Sequence, residues 1–199
     1  MDDRISQIIC HIPSAWTEHK YFAEWVVKRK NPEVIVDLGV DYAYSTFCFA
    51  SAGIGHVYGI DFFEGDEWTG IRNTLDQVKE KQKELELKNI TFIKGYFDDV
   101  VKDWELPIDI LHIDGFHSYE VVKNDYEKWS KFVKDDGIIL FHDTCAQDTT
   151  NAKFEVYKLF GEIDLPKLNF TFSSGLGVVS KDKKLIEEIN DNFNLHSPY

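Results

Sequence analysis

Four acids and two histidines along this chain are placed where chemistry is done. Asp37, Asp61, Asp114 and Asp143 each stand at the end of a short apolar run, with His117 and His142 close to the last two. In an open α/β sheet, ligands bind outside the carboxyl ends of the strands. Acids at successive strand ends therefore converge on one crevice. A single such acid is as readily explained as a helix cap, but four in succession point to a site. Asp61 follows Gly39 by 22 positions, the spacing at which an acid accepts hydrogen bonds from the ribose hydroxyls of an adenosine cofactor. An imidazole changes charge near neutrality, so His117, three residues past Asp114, suits proton transfer. His112 lies inside a strand-like run and reads as a packed core histidine.

The elements that must position these groups alternate along the chain. Val34 to Leu38, Val57 to Ile60, Ile90 to Ile93, Asp109 to Ile113 and Gly137 to Phe141 read as buried parallel strands. Between them, Thr17 to Lys30, Ser45 to Ala52, Ile71 to Leu87, Tyr119 to Phe132 and Asn151 to Phe160 read as helices. Asn169 to Phe172 and Leu176 to Ser180, separated by Ser173-Ser174-Gly175, read as a closing hairpin. The expected fold is a Rossmann-like α/β/α three-layer sandwich, with a mostly parallel seven-stranded sheet and a C-terminal antiparallel hairpin. One domain over 1–199 is expected: a helical segment at 1–33, the core fold at 34–180, and a helix and tail at 181–199.

Composition narrows the function. A formal charge of −13 repels nucleic acid, and the short basic stretches Lys28-Arg29-Lys30 and Lys181 to Lys184 read as solvated surface. Charged residues at 29% and hydrophobic residues at 43% are ordinary for a globular domain. The aromatic share of 15% is high enough to expect aromatic packing in the core or an aromatic-lined pocket. Cys10, Cys48 and Cys145 form neither a disulfide framework nor a zinc motif, which suits a reducing, cytoplasmic setting. No signal peptide or membrane span is read. The sequence does not fix an oligomeric state, and a homodimer is compatible with it.

The loop after the first strand, Gly39-Val40-Asp41-Tyr42-Ala43-Tyr44-Ser45-Thr46, carries one glycine. A pyrophosphate site wants G-x-G-x-x-G so that backbone can approach the phosphates. Asp41 and Tyr42 would repel or crowd a pyrophosphate, whereas a phosphate-free sulfonium cofactor tolerates them. S-adenosylmethionine is favoured over NAD on this ground.

The stretch Val36 to Thr46 resembles the first motif of class I S-adenosylmethionine-dependent methyltransferases. The nearest branch has an E-I-G-x-x-x-G-x-S-T pattern and includes macrocin-type sugar O-methyltransferases and cephalosporin-hydroxylase-like proteins. Ile113-Asp114-Gly115-Phe116-His117-Ser118-Tyr119 is similar to that branch's I-D-G-x-H-x-Y segment. Asp125, followed by Gly137 to Asp143, is similar to its D…G-G-x-x-x-x-H-D segment. The resemblance covers roughly Val34 to Ser180. It departs at Ala43, where the branch has a glycine, and at Asp136.

The resemblance implies methyl transfer to a hydroxyl of a sugar, glycan or other small molecule. It implies a cofactor site at Asp37, Gly39, Tyr42, Ser45, Asp61 and Phe62. Tyr96 and Phe97 would lie against the adenine, Asp98 near its amino group, and Asp114 beside the cofactor. A divalent cation, Mg²⁺ or Mn²⁺, would be held by Asp114, His142 and Asp143 and would acidify the acceptor hydroxyl. Asp114 and His117 are the catalytic candidates, with His117 as the general base. Phe62 to Trp68 reads as an acidic, aromatic lid over the acceptor. Tyr119 and Glu120 read as site-lining or helix-starting residues. Two alternatives stand beside this reading: a non-catalytic binding module on a degenerate version of the fold, motivated by Ala43, and an NAD-dependent oxidoreductase.

Overall fold

The computed structural model describes residues 3–65, 70–149 and 153–193. Trp68 with the rest of 66–69, Asn151 at the expected start of a helix, and the tail from 194 lie outside the described residues.

The strands are β1 (Val34–Leu38), β2 (His56–Asp61), β3 (Ile90–Lys94), β4 (Ile108–Ile113), β5 (Val133–His142), β6 (Lys167–Phe170) and β7 (Leu176–Val179). They form one seven-stranded sheet in the order β3-β2-β1-β4-β5-β7-β6. The first five run parallel, and β7 is antiparallel to both β5 and β6. The expected seven-stranded sheet with its closing hairpin is therefore present. The order in which strands are added reverses between β1 and β4, which lie side by side and parallel in the middle of the sheet and open a crevice at their carboxyl ends.

Alternation along the strands divides the core in two. Ile35, Ile110, Ile138 and Leu140 face one side, and Val36, Leu38, Leu111 and Phe141 face the other. The first face is covered by α1 (Asp3–Ile9), α2 (Lys20–Lys30), α3 (Tyr44–Ala50), α4 (Leu75–Glu84) and α8 (Lys183–Phe193), through side chains such as Phe22, Phe47 and Ile189. The second is covered by α5 (Phe97–Val100), α6 (Tyr119–Trp129) and α7 (Val156–Glu162), with Trp104 and Trp129 between them.

The boundaries depart from expectation where backbone groups find other partners. The helix expected from Ile71 begins only at Leu75, because the Arg72 and Thr74 amides donate to the Glu64 and Phe63 carbonyls. Ile71 is left exposed. The strand expected at Asn169 to Phe172 lies two residues earlier, at Lys167–Phe170. Ser173 and Ser174 take left-handed conformations (φ 46 and 65) that start the turn, and Phe172 stacks on His19. β5 is longer than expected and bulged, its register with β4 shifting between Ile108 and Ile110.

Candidate functional site

A cavity of about 970 Å³ opens at the carboxyl ends of β1, β2, β4 and β5, large enough for a drug-sized ligand and a second small molecule. Its floor is the loop after β1. Gly39 has φ +93, and a side-chain carbon there would collide with the Asp114 carbonyl. Only glycine lets β1 and β4 approach this closely. The next amides, of Val40 and Asp41, donate to Asp61 Oδ2 at 2.9 and 3.0 Å, and the Phe63 amide donates to Oδ1 at 2.6 Å. Asp61 thus fixes two loops at once and holds its carboxylate on the cavity wall. Asp41 and Tyr42 also line the cavity. Arg72 pairs with Asp41 and lies 4.9 Å from the centre of the Tyr42 ring. Ala43, where the resembled branch has glycine, takes the left-handed conformation itself (φ 65), so this turn forms without the glycine.

Asp37 is not on the cavity. It is fully buried, accepts hydrogen bonds from Ser45 Oγ (2.9 Å) and Thr46 Oγ1 (2.5 Å), and lies 2.6 Å from His112 Nδ1. The other nitrogen of His112 accepts from the Trp16 indole at 3.1 Å, which makes Nδ1 the donor to Asp37. The expectation that Asp37 faces a cofactor is corrected: strand alternation turns its side chain under the loop, where it anchors α3 to β1 and β4. Ser45 lines the cavity while its hydroxyl is turned to Asp37.

At the far side of the floor, Phe62 and Tyr96 stack with centroids 5.5 Å apart, and Tyr96 is largely exposed. Phe97 starts a short helix and packs against Gly115. Asp98 accepts from Asn124 and Lys128, both at 2.8 Å, and these bonds hold its carboxyl below the usual range.

The remaining acids and histidines form one cluster. His117 Nε2 is 2.8 Å from Asp143 Oδ2. His142 Nδ1 is 3.2 Å from Asp114 Oδ1 and 3.4 Å from Asp143 Oδ2, while its Nε2 meets the Ser173 carbonyl at 3.0 Å. Asp143 sits in the left-handed region (φ 61), a conformation costing a non-glycine residue roughly 1–2 kcal/mol and common where a site demands it. Burial works against charge on both histidines, but the neighbouring carboxylates prevail. His117 is raised above its ordinary pKa by Asp143, and His142 well above it by Asp114 and Asp143. Burial also opposes charge on the acids, and the same contacts nonetheless hold Asp114 and Asp143 below the usual carboxylate range.

Oxygens of Asp114 and Asp143 and a ring nitrogen of His117 lie within 4.8 Å of one another. This group differs from the expected ligand set in one member: His117 takes the place of His142, whose ring is braced between the Ser173 carbonyl and the two acids. The donor chemistry fits a divalent cation, with two hard carboxylate oxygens and one imidazole. Charge fits too. With both imidazoles protonated the two carboxylates are balanced, and a divalent ion beside two neutral imidazoles leaves the same net charge.

Several site residues were not anticipated from sequence. Phe154 stacks on His117, with centroids 4.5 Å apart and planes 28° apart. The Glu155 amide donates to the His117 carbonyl at 2.8 Å, and its carboxylate accepts from the Tyr119 amide at 3.1 Å. Trp16, from the N-terminal segment, lines the cavity. Asp125 of α6 is buried at 3% exposure, and its Oδ2 lacks a hydrogen-bond partner among the described residues. Of these, Asp125 alone carried a sequence signal, its place in the resembled motif. Among the described residues no helix is long and apolar enough to cross a membrane.

Residues 36–144, more than half of the chain, match the family described as a methyltransferase domain. Over 185 residues the chain is 30% identical to the uncharacterized protein y4gI of Sinorhizobium fredii, covering 87% of this chain and 20% of that protein. The chain thus spans about a fifth of the length of the curated relative it matches. Among the solved structures that share the fold are two O-methyltransferases. The O-methyltransferase of Bacillus cereus, in complex with S-adenosylhomocysteine, superposes with a TM-score of 0.65 at 16% identity over 91% of this chain and 92% of that one. TomG of Streptomyces achromogenes, an O-methyltransferase involved in tomaymycin synthesis and solved with S-adenosylmethionine, gives 0.62 at 12% identity over 90% and 91%.

Proposed function

From the premise that this chain belongs to the methyltransferase-domain family, we propose that it transfers a methyl group from S-adenosylmethionine to a hydroxyl of a sugar or other small-molecule diol, assisted by a divalent metal. The observation that carries the reading is the His117–Asp143 pair, 2.8 Å apart beside Asp114 on the wall of the cavity. Proton removal from a hydroxyl needs a base within hydrogen-bond reach whose ring is held by a third group. Asp143 holds the His117 ring through Nε2, and Phe154 fixes its plane.

The cofactor, when bound, supplies an electrophilic methyl whose bond to sulfur breaks, the electron pair staying on sulfur, as the acceptor oxygen takes the carbon. Gly39 and Tyr42 on the loop, with Ser45 in the first turn of α3, would give the amino-acid end a close seat. Asp61 would receive the ribose hydroxyls, and Phe62, Tyr96 and Phe97 would take the adenine. Asp114 and Asp143 would hold the metal, whose charge would lower the pKa of the acceptor hydroxyl. His117, neutral and outside the metal's ligands, would accept at Nδ1 the proton that this hydroxyl loses, its Nε2 hydrogen donating to Asp143. His142, braced by the Ser173 carbonyl, keeps both acids in position. Much of the rate comes from holding oxygen, carbon and sulfur in line.

The test is formation of S-adenosylhomocysteine from S-adenosylmethionine and a panel of vicinal diols, with Mg²⁺ or Mn²⁺ and with chelator, alongside calorimetric titration of both S-adenosylmethionine and NAD. Metal-dependent turnover is expected. Absence of heat with S-adenosylmethionine under every condition would overturn the assignment.

A further inference from the structure

We propose that the Arg72–Asp41 ion pair reads the amino-acid end of S-adenosylmethionine, the guanidinium receiving its carboxylate and the Asp41 carboxylate its ammonium. This rests on the cofactor lying along the loop after β1, and it names the charged groups that hold its zwitterionic end.

The other polar groups beside that loop are already committed. Ser45 Oγ donates to Asp37, which is buried beneath the loop. Both oxygens of Asp61 accept backbone amides, and Asp114 is engaged by His142. Among the described residues, Arg72 is the only lysine or arginine that lines the cavity, and it does so beside Asp41 and Tyr42. Its Nη2 lies 2.5 Å from Asp41 Oδ1, and the guanidinium carbon stands 4.9 Å from the centre of the Tyr42 ring. The Arg72 side chain keeps 23% exposure and that of Asp41 keeps 50%. One positive and one negative group are thus presented side by side on the wall.

Backbone bonds fix that pairing. Asp61 Oδ2 accepts from the Asp41 amide, and its Oδ1 accepts from the Phe63 amide. The Phe63 and Glu64 carbonyls then accept from the Thr74 and Arg72 amides at 3.1 and 2.8 Å. Gly65 has φ +71, and a side-chain carbon there would collide with the Gly70 carbonyl, so glycine lets this segment close on itself and bring Arg72 to the β1 loop. The acid assigned to the ribose therefore sets the position of both charged groups, as two parts of one ligand require.

The chemistry of the pair matches an amino acid. An α-amino acid carries a carboxylate and an ammonium on one carbon, and a wall offering the opposite charges side by side is its electrostatic complement. A guanidinium presents parallel N–H groups that match a carboxylate, and the Tyr42 ring beneath it adds a cation–π contact. A nucleoside without the amino-acid end leaves the pair to itself.

The test titrates three compounds calorimetrically: S-adenosylhomocysteine, the amine obtained from it by decarboxylation, and methylthioadenosine, which lacks the whole amino-acid end. Each is titrated into the parent, Arg72→Gln, Arg72→Lys and Asp41→Asn. Arg72→Gln is expected to weaken S-adenosylhomocysteine by about tenfold or more without weakening the amine or methylthioadenosine. Arg72→Lys, which keeps the charge and loses the planar fork, is expected to lose less. Asp41→Asn is expected to weaken the amine and spare methylthioadenosine, whose binding shows that the site is still folded. Unchanged affinity of Arg72→Gln for S-adenosylhomocysteine overturns the proposal, as does an equal loss for all three compounds, which would make Arg72 a brace of the loop alone. A parent that binds none of the three overturns the cofactor placement itself, and the proposal with it.

Discussion

Two carboxylate–imidazole pairs stand a few residues apart at the same end of the sheet. Asp37 and His112 meet at 2.6 Å, and Asp143 and His117 at 2.8 Å. The first pair is closed. Both side chains have zero exposure, and the remaining ring nitrogen and carboxylate oxygen are taken by Trp16, Ser45 and Thr46. The second pair is open: the His117 side chain is 24% exposed and borders the cavity. What separates them is the neighbour each ring finds. The N-terminal segment drops an indole onto His112, whereas His117 receives only the flat face of Phe154. A fully satisfied buried network stiffens a fold. A partly open one is where chemistry is placed.

The sharpest way to break this contrast is to delete each imidazole in turn. His117→Ala is expected to lower methyl transfer by about 10²- to 10⁴-fold while the thermal midpoint and S-adenosylmethionine affinity stay near the parent's. Turnover assays and calorimetry on the same preparation check both halves. Retained turnover would move the proton-accepting role elsewhere. His112→Ala is expected to do the reverse. It strands the Asp37 carboxylate and the Trp16 indole in the core, a loss of about 3–5 kcal/mol, read as a lower urea midpoint. Activity per folded molecule is expected to persist. If His112→Ala were as stable as the parent, the closed pair would not be the anchor described here.

The sequence made the fold legible because periodicity and strand-end acids are local signals. Five buried runs, the closing hairpin and the Gly39 turn are read directly from residue types. It separated the two histidines, reading His112 as core and His117 as the base, but not their acids, since an Asp at the end of one strand looks like an Asp at the end of the next. Asp37 was expected at a cofactor, yet it faces the layer beneath because β1 alternates. His142 was expected as a ligand, yet the Ser173 carbonyl, 31 positions away, brings its ring under the acids. Phe154 and Trp16 reach the site only through tertiary structure, 37 and 101 positions from His117. The loop expected as a lid is legible only in part, because 66–69 lies outside the described residues.

Asp125 sharpens the comparison from a third side, as a buried acid with no histidine at all. Its near neighbours are Asn124, whose amide stands 3.5 Å from Oδ1, and the Asp98–Lys128 pair. Burial pushes its carboxyl from the ordinary 3.8 up to about 7. The sign of the effect on stability follows. Between those two values the folded chain holds a proton that the unfolded chain has released, so stability from this group is present at low pH and is lost as pH rises through about 7. Asp125→Asn removes the titration. The variant is expected to match the parent near pH 4, where Asp125 is protonated in the fold, and to be more stable by roughly 2–4 kcal/mol at pH 8, from a shift of about three units at 1.36 kcal/mol each. Urea unfolding at both pH values reads this directly. A gain that is the same at both would mean the benefit comes from the amide's hydrogen bonds. No gain at pH 8 would mean that Asp125 finds a proton donor, and that the absence of a histidine leaves it no less satisfied than Asp37.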